Sequence, residues 1–267
     1  MDTKNQALGV PDFSGCLAAF AAKQKANIAC YELSDGLVVW IRKAGARNPA
    51  WRYALLGMIT RPLRLGVLKP VPNLGGEKAI AVEEKRLREL KAAGISVPEV
   101  LAHQTDALML SHLDGKQLDT QIEQEARGKH LTAWNAGLNA IGEVHRKGQF
   151  LSQAFARNIM ISGKDVSFLD FEDDPSEVLT LAECQSRDWL CYLHSTSLML
   201  KKYGLLERAA ALWHDKLLTQ PDEIQYLVTQ TAKPIRWMHS LSHSRWGRDM
   251  LRLAAVARLF YLADLYF

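Results

Sequence analysis

The sequence predicts an α+β fold in which a small antiparallel sheet carrying one helix is followed by a larger, mainly helical lobe. Three observations predict it. Two short β-forming runs flank a Ser-Asp-Gly turn, helical patterning takes over after Gly115, and a single apolar hairpin over Arg157–Asp170 interrupts the helical half. With 267 residues, 48% of them hydrophobic and 23% charged, the chain buries a core large enough for one big domain or two lobes. The change of pattern divides it into a small lobe over 1–113 and a helical lobe over 114–267.

Asn27–Leu33 and Leu37–Lys43 are rich in β-formers, and Asp35-Gly36 suits the reversal between them. The segment 44–76 has a basic, aromatic centre, and Pro62 and Pro70 argue against one continuous helix there. Ala, Glu, Lys, Arg and Leu dominate 77–93, Ile80, Leu87 and Leu90 fall on helical spacing, and Gly94 is placed to end that helix. Strands are expected near Glu99–His103 and Ala107–Leu110, before the break at Asp114-Gly115. A helix follows over Lys129–Lys147, with Leu131, Trp134, Leu138, Ile141 and Val144 on one stripe. Two apolar runs, NIMI and VSFLD, then enclose Ser162-Gly163-Lys164-Asp165 as a hairpin. From Leu179 onward the composition is helical, with breaks near Gly204, Pro221 and Pro234.

Net charge is +4 and the isoelectric point is about 8.8, a mild excess that admits anionic ligands without singling out nucleic acid. No run of like charges reads as a nucleic-acid arm, and no stretch approaches the roughly 18 apolar residues of a membrane span. A cytoplasmic protein is expected. Cys16, Cys30, Cys184 and Cys191 form no C-x-x-C pair, which argues against a zinc site or a disulfide framework and for buried thiols.

A sheet ending in Lys43, a helix bearing Glu83, a connecting segment and then helices broken by an Asn…Asp hairpin is the order of parts in protein kinases. The residues Glu143-Val-His145-Arg-Lys-Gly148, Ala156-Arg-Asn158-Ile and Phe168-Leu-Asp170-Phe-Glu resemble the catalytic loop and metal-binding strand of the protein-kinase-like superfamily. More closely they look like the bacterial lipopolysaccharide-core kinases, the heptose and Kdo kinase-like group. The resemblance runs in order from about Ile28 to Leu200. It implies a two-lobed kinase-like fold that uses ATP and Mg²⁺.

By that resemblance Lys43 would hold the nucleotide phosphates and Glu83, with Glu84 as the neighbouring alternative, would pair with it. Ser111, His112 and Leu113 would face the adenine. Asn158 and Asp170 would ligate the metal, an amide oxygen and a carboxylate suited to a hard cation. Asp188 would brace the catalytic loop from a buried position. Taken alone, a lysine at a strand end is usually a solvated charge and a glutamate on such a helix an i,i+4 partner.

One position departs from the family pattern. The residue five before the metal-binding Asn is usually the Asp that orients the acceptor hydroxyl, and here it is Gln153. A neutral amide cannot accept a proton as a carboxylate does. Phosphoryl transfer depends mostly on positioning and charge stabilisation, and Glu172, Asp173 and Asp174 supply further carboxylates just after Asp170. Three readings follow: a phosphotransferase, a nucleotide-binding pseudokinase, or a nucleotidyl transferase. The acceptor implied by the family is a hydroxyl of a lipopolysaccharide-type glycolipid or a related small molecule. The basic, aromatic residues of Trp51–Lys69 and the C-terminal RWGRDMLRLAAVARLFYLADLYF have the composition of segments that lie against an anionic membrane surface, or that pack as core.

Overall fold

The computed structural model describes residues 12–45, 67, 75–241 and 247–266. Within them the chain is α+β, with eight α-helices and two small antiparallel sheets. Most of segment 44–76 lies outside the described residues, and with it the proposed membrane-facing stretch Trp51–Lys69 apart from Val67.

The first sheet has the order β1-β2-β4-β3, formed by β1 (Ile28–Glu32), β2 (Val38–Lys43), β3 (Val100–Gln104) and β4 (Ala107–Ser111). The β1–β2 reversal uses Gly36 at φ +83°, a left-handed conformation that costs glycine little, and the Asp35 carboxylate accepts the Leu37 N–H at 3.0 Å. Both faces of this sheet are covered. On one face Val39, Ile41, Ala107 and Met109 pack with Leu17 and Ala21 of α1 (Phe13–Lys23), a helix capped by Asp12. On the other, Trp40, Leu108 and Leu110 belong to the main core, as do Ile80, Leu87 and Leu90 of α2 (Gly76–Ala92).

Helix α1 is absent from the expectations drawn above. Its signature is Asp12 followed by Phe13, Leu17, Phe20 and Ala21 on helical spacing. The helix expected over 129–147 begins later, at Thr132, as α4 (Thr132–Arg146), and is preceded by a separate helix, α3 (Leu118–Arg127). Lys129 breaks the two apart with φ +63°.

The second sheet runs β5 (Lys116–Gln117), β6 (Ile159–Ser162) and β7 (Asp165–Phe168), with the hairpin pairing Ile159 to Phe168 and Ser162 to Asp165. Helix α5 (Leu181–Lys202) opens on a capping box between Thr180 and Glu183 and crosses the core, burying Trp189, Tyr192 and Leu193. Around it pack α6 (Leu206–Leu218), α7 (Asp222–Ala232) and α8 (Gly247–Ala263). Ala254, Ala255, Val256, Leu259 and Phe260 of α8 are buried, so of the two roles open to the C-terminal segment this helix takes the core one.

Cys184 and Cys191 are buried thiols, both pushed up to about 12 by burial, but Cys30 is exposed on β1, the sheet's outer strand, and corrects the expectation that all four are buried. No helix among the described residues is long and apolar enough to cross a membrane.

Candidate functional site

The two faces of β2 decide which cation enters the site. Side chains alternate along a strand, so Arg42 projects to the same face as Trp40, while Lys43 projects with Val39 and Ile41 toward α1. Lys43 Nζ donates to the carbonyls of Ala21 at 2.6 Å and Gln24 at 3.2 Å, closing the C-terminal end of α1. It does not meet Glu83. The partner of Glu83 is Arg42, whose Nε lies 2.5 Å from Glu83 Oε2. The expected Lys43–Glu83 pair is therefore corrected by one residue, because a one-residue step in a strand exchanges the faces.

Arg42 also reaches Glu172 Oε2 at 2.6 Å and Asp170 Oδ1 at 3.7 Å through Nη2. Burial works against its charge, but Glu83, Glu172 and Asp170 outweigh it and its pKa is raised. Glu83, 2% exposed on α2, is pushed up to about 7, chiefly by burial, with Arg42 pulling it back and Asp170 and Glu172 adding to the rise. Its neighbour Glu84 faces the opposite way, toward Arg88 at 2.8 Å and His103 at 3.5 Å, which disposes of it as the alternative.

Asn158 and Asp170 come together across the ends of the β6–β7 hairpin. Asn158 Nδ2 donates to Asp170 Oδ2 and to the carbonyl of Gln153, each at 3.2 Å, and the Leu169 amide donates to the Asn158 carbonyl at 2.8 Å. Asp170 sits at φ +70°, a left-handed conformation uncommon outside glycine and enriched in Asp and Asn, and Ser152 at +68° marks a second such point beside Gln153. The Asp170 carboxyl is raised in pKa, mainly by burial, against the pull of Arg42.

The loop between α4 and the hairpin is pinned by its neighbours. Asp188 of α5, wholly buried, accepts the Leu151 N–H at 2.7 Å and faces His145 Nε2 at 3.1 Å, which is the bracing position expected for it. Arg86 of α2 donates to the Phe150 carbonyl at 2.8 Å and lies over the Phe150 ring at 3.9 Å. Ser195 Oγ accepts the Ala156 N–H at 3.1 Å. Held this way, Gln153 directs its side-chain amide to the Asp173 carboxylate.

A cavity of about 410 Å³ unites most of these residues. Its lining combines the apolar side chains of Ile28, Trp40, Leu87, Leu110, Leu113, Met160 and Leu169 with Arg42, Glu83, Arg157, Asn158 and Asp170, and contacts link Arg42 to Glu83 and Asp170, and Asp170 to Asn158. Ser111, His112 and Leu113 also line it. The Ser111 N–H is given to the Glu99 carbonyl at 2.9 Å. His112 is itself held by the Trp40 indole N–H at 3.0 Å. Gln153 and Lys43 do not line the cavity. Two roomier surface depressions, of about 500 and 710 Å³, lie elsewhere, around Lys116 and Lys164 and around Lys201 and Arg252, and neither contains these residues.

Asn158 and Asp170 together offer two oxygens of the kind a small hard cation takes. Asp170 Oδ1 is buried and accepts no hydrogen bond, and Asn158 offers an amide oxygen beside it. Two protein oxygens, with the remainder supplied by phosphate and water, is the usual complement for Mg²⁺. Comparison with protein-family models and with curated proteins finds no match to this chain.

Proposed function

We propose that this chain is a two-lobed, kinase-like phosphotransferase that binds ATP with Mg²⁺ in the cavity between Trp40 and Asp170. The acceptor is a hydroxyl of a lipopolysaccharide-type glycolipid or a related small molecule, on the strength of the sequence resemblance. The observation that carries the reading is the mixed lining of one cavity: apolar side chains such as Trp40, Leu110 and Leu113 together with Arg42, Glu83, Asn158 and Asp170, which direct contacts link to one another. A purine base and a triphosphate need those two environments side by side.

The chain's own contributions follow from the contacts. Trp40, Leu110 and Leu113 take the base out of water, and backbone groups at His112 and Leu113 meet its edge. Arg42, fixed by Glu83, presents a permanently charged guanidinium suited to phosphate oxygens. Asn158 and Asp170 would hold Mg²⁺, which when bound neutralises charge on the phosphates. Attack by the acceptor oxygen on the γ-phosphorus releases ADP.

Gln153, standing where the family places an Asp, favours a second reading, a pseudokinase that binds nucleotide without turnover. Thermal-shift titration with ATP and Mg²⁺ tests binding: the expected result is a rise in midpoint that Asp170→Ala abolishes. No shift in the wild type, or an equal shift in the variant, overturns the site. ATP labelled separately at the α and γ positions then divides the readings. Transfer of γ label supports the phosphotransferase, transfer of α label a nucleotidyl transferase, and binding without transfer the pseudokinase.

A further inference from the structure

We infer that Arg157 is a second phosphate-binding residue of the cavity, meeting the nucleotide's phosphate chain from the turn before β6 while Arg42 meets it from the sheet. This inference rests on the nucleotide-binding reading above and deepens it. A triphosphate is a polyanion, and protein kinases cover it with a glycine-rich loop. Here the β1–β2 reversal keeps its amides for itself: the Gly36 N–H goes to the Leu33 carbonyl at 2.9 Å and the Leu37 N–H to the Asp35 carboxylate at 3.0 Å. That turn also carries the negative charge of Asp35. Neutralising the phosphates therefore falls to side chains.

Among the described residues that line the cavity, the cations are Arg42 and Arg157, and their circumstances differ. Arg42 is already answered by Glu83 at 2.5 Å, Glu172 at 2.6 Å and Asp170 at 3.7 Å. Arg157 is exposed, and no carboxylate among the described residues pairs with it. Its main chain is nonetheless fixed. The Arg157 carbonyl accepts from Gln117 Nε2 at 3.2 Å, and the flanking Ala156 and Asn158 N–H groups donate to Ser195 Oγ at 3.1 Å and to the Phe155 carbonyl at 2.8 Å. The guanidinium lies over the Phe155 ring, 4.7 Å from its centroid. Stacking occupies the face of the group and leaves its N–H edge for a planar, two-point contact with phosphate oxygens. Arg157 directly precedes Asn158, and its charge reaches the metal-facing pair: burial raises the Asp170 carboxyl, and Arg42 and Arg157 both pull it back.

Calorimetry of ATP with Mg²⁺ binding to the full chain, at low and at high salt, tests this on the wild type, Arg157→Gln and Arg157→Lys. The expected result is that Arg157→Gln weakens ATP binding on the order of tenfold or more and makes the remaining affinity less sensitive to salt, because one screened charge contact is gone. Arg157→Lys keeps the charge without the planar fork and falls between the wild type and Arg157→Gln. The ligand-free unfolding midpoint stays at the wild-type value in both variants, as suits an exposed side chain. ATP bound by Arg157→Gln as tightly as by the wild type overturns the assignment. So does a loss with undiminished salt dependence, or one as large in Arg157→Lys, since a side chain that only walls the cavity behaves that way. A lowered ligand-free midpoint in both variants overturns it as well, marking a structural role. A wild type that binds no ATP fails the nucleotide reading and this inference with it. Failure of the inference alone leaves wild-type binding intact, which keeps the two failures apart.

Discussion

Arg42 Nε meets Glu83 Oε2 at 2.5 Å, while the amine of the very next residue, Lys43, is spent on α1 carbonyls across the sheet. The charge that faces the cavity from β2 is therefore a guanidinium, which keeps its proton at any working pH and offers phosphate a planar fork of donors.

The two cations should separate cleanly on mutation. Arg42→Met leaves the buried Glu83 without its counter-charge and is expected to cost about 3–5 kcal/mol in urea unfolding at pH 8. It should also weaken ATP binding at least about tenfold, the scale of one lost charged hydrogen bond. Lys43→Met removes only a cation at the end of α1, for about 1 kcal/mol, and should leave ATP affinity unchanged. Equal effects of the two variants on ATP affinity would contradict the placement.

Glu83 makes stability depend on pH in the less familiar direction. Its folded-state pKa is raised from 4.5 to about 7, with burial the largest cause, so between those values the folded state holds a proton that the unfolded state has released. The stability contributed by this group is full below about pH 4.5 and is lost as pH rises through about 7. Urea unfolding of wild type and Glu83→Gln at a series of pH values should show the wild type losing roughly 3 kcal/mol relative to the variant from pH 4.5 to pH 8. A difference that does not change with pH would mean that Glu83 stays ionised.

Asp188 holds the loop that carries Gln153. Asp188→Ala strands the buried Leu151 N–H and should destabilise the fold by about 3 kcal/mol, whereas Asp188→Asn keeps an acceptor oxygen and should cost about half as much. Hydrogen exchange reports the loop directly: the Leu151 amide should lose protection in Asp188→Ala before the amides of α5 do. Simultaneous loss across both would show that the loop has no separate stability.

Much of this architecture is legible in the sequence because it rests on local signals. Asp35-Gly36 marks the first hairpin, Ile80, Leu87 and Leu90 mark α2, and the NIMI and VSFLD runs mark the strands that bring Asn158 to Asp170. What is not legible depends on burial on both sides. In VVWIRK apolar residues serve two covered faces, so no alternation of polar and apolar residues reveals whether Arg42 or Lys43 faces α2. Helix α1 decides the matter by covering one face and taking Lys43 for its own carbonyls. The meeting of Gln153 with Asp173 spans 20 positions and comes from the loop's anchoring on Asp188 and Arg86, contacts that no periodicity encodes.

The direction of the Lys43 side chain also governs which reagents can mark this protein. Acyl-phosphate analogues of ATP label a pocket by transferring their acyl group to a lysine amine beside the phosphates, and the described residues lining the cavity include no lysine. None of these described residues would take the acyl group from a bound reagent. A dicarbonyl compound, which condenses with guanidinium groups, is the matching chemistry for Arg42 and Arg157, and ATP present during the treatment would shield both.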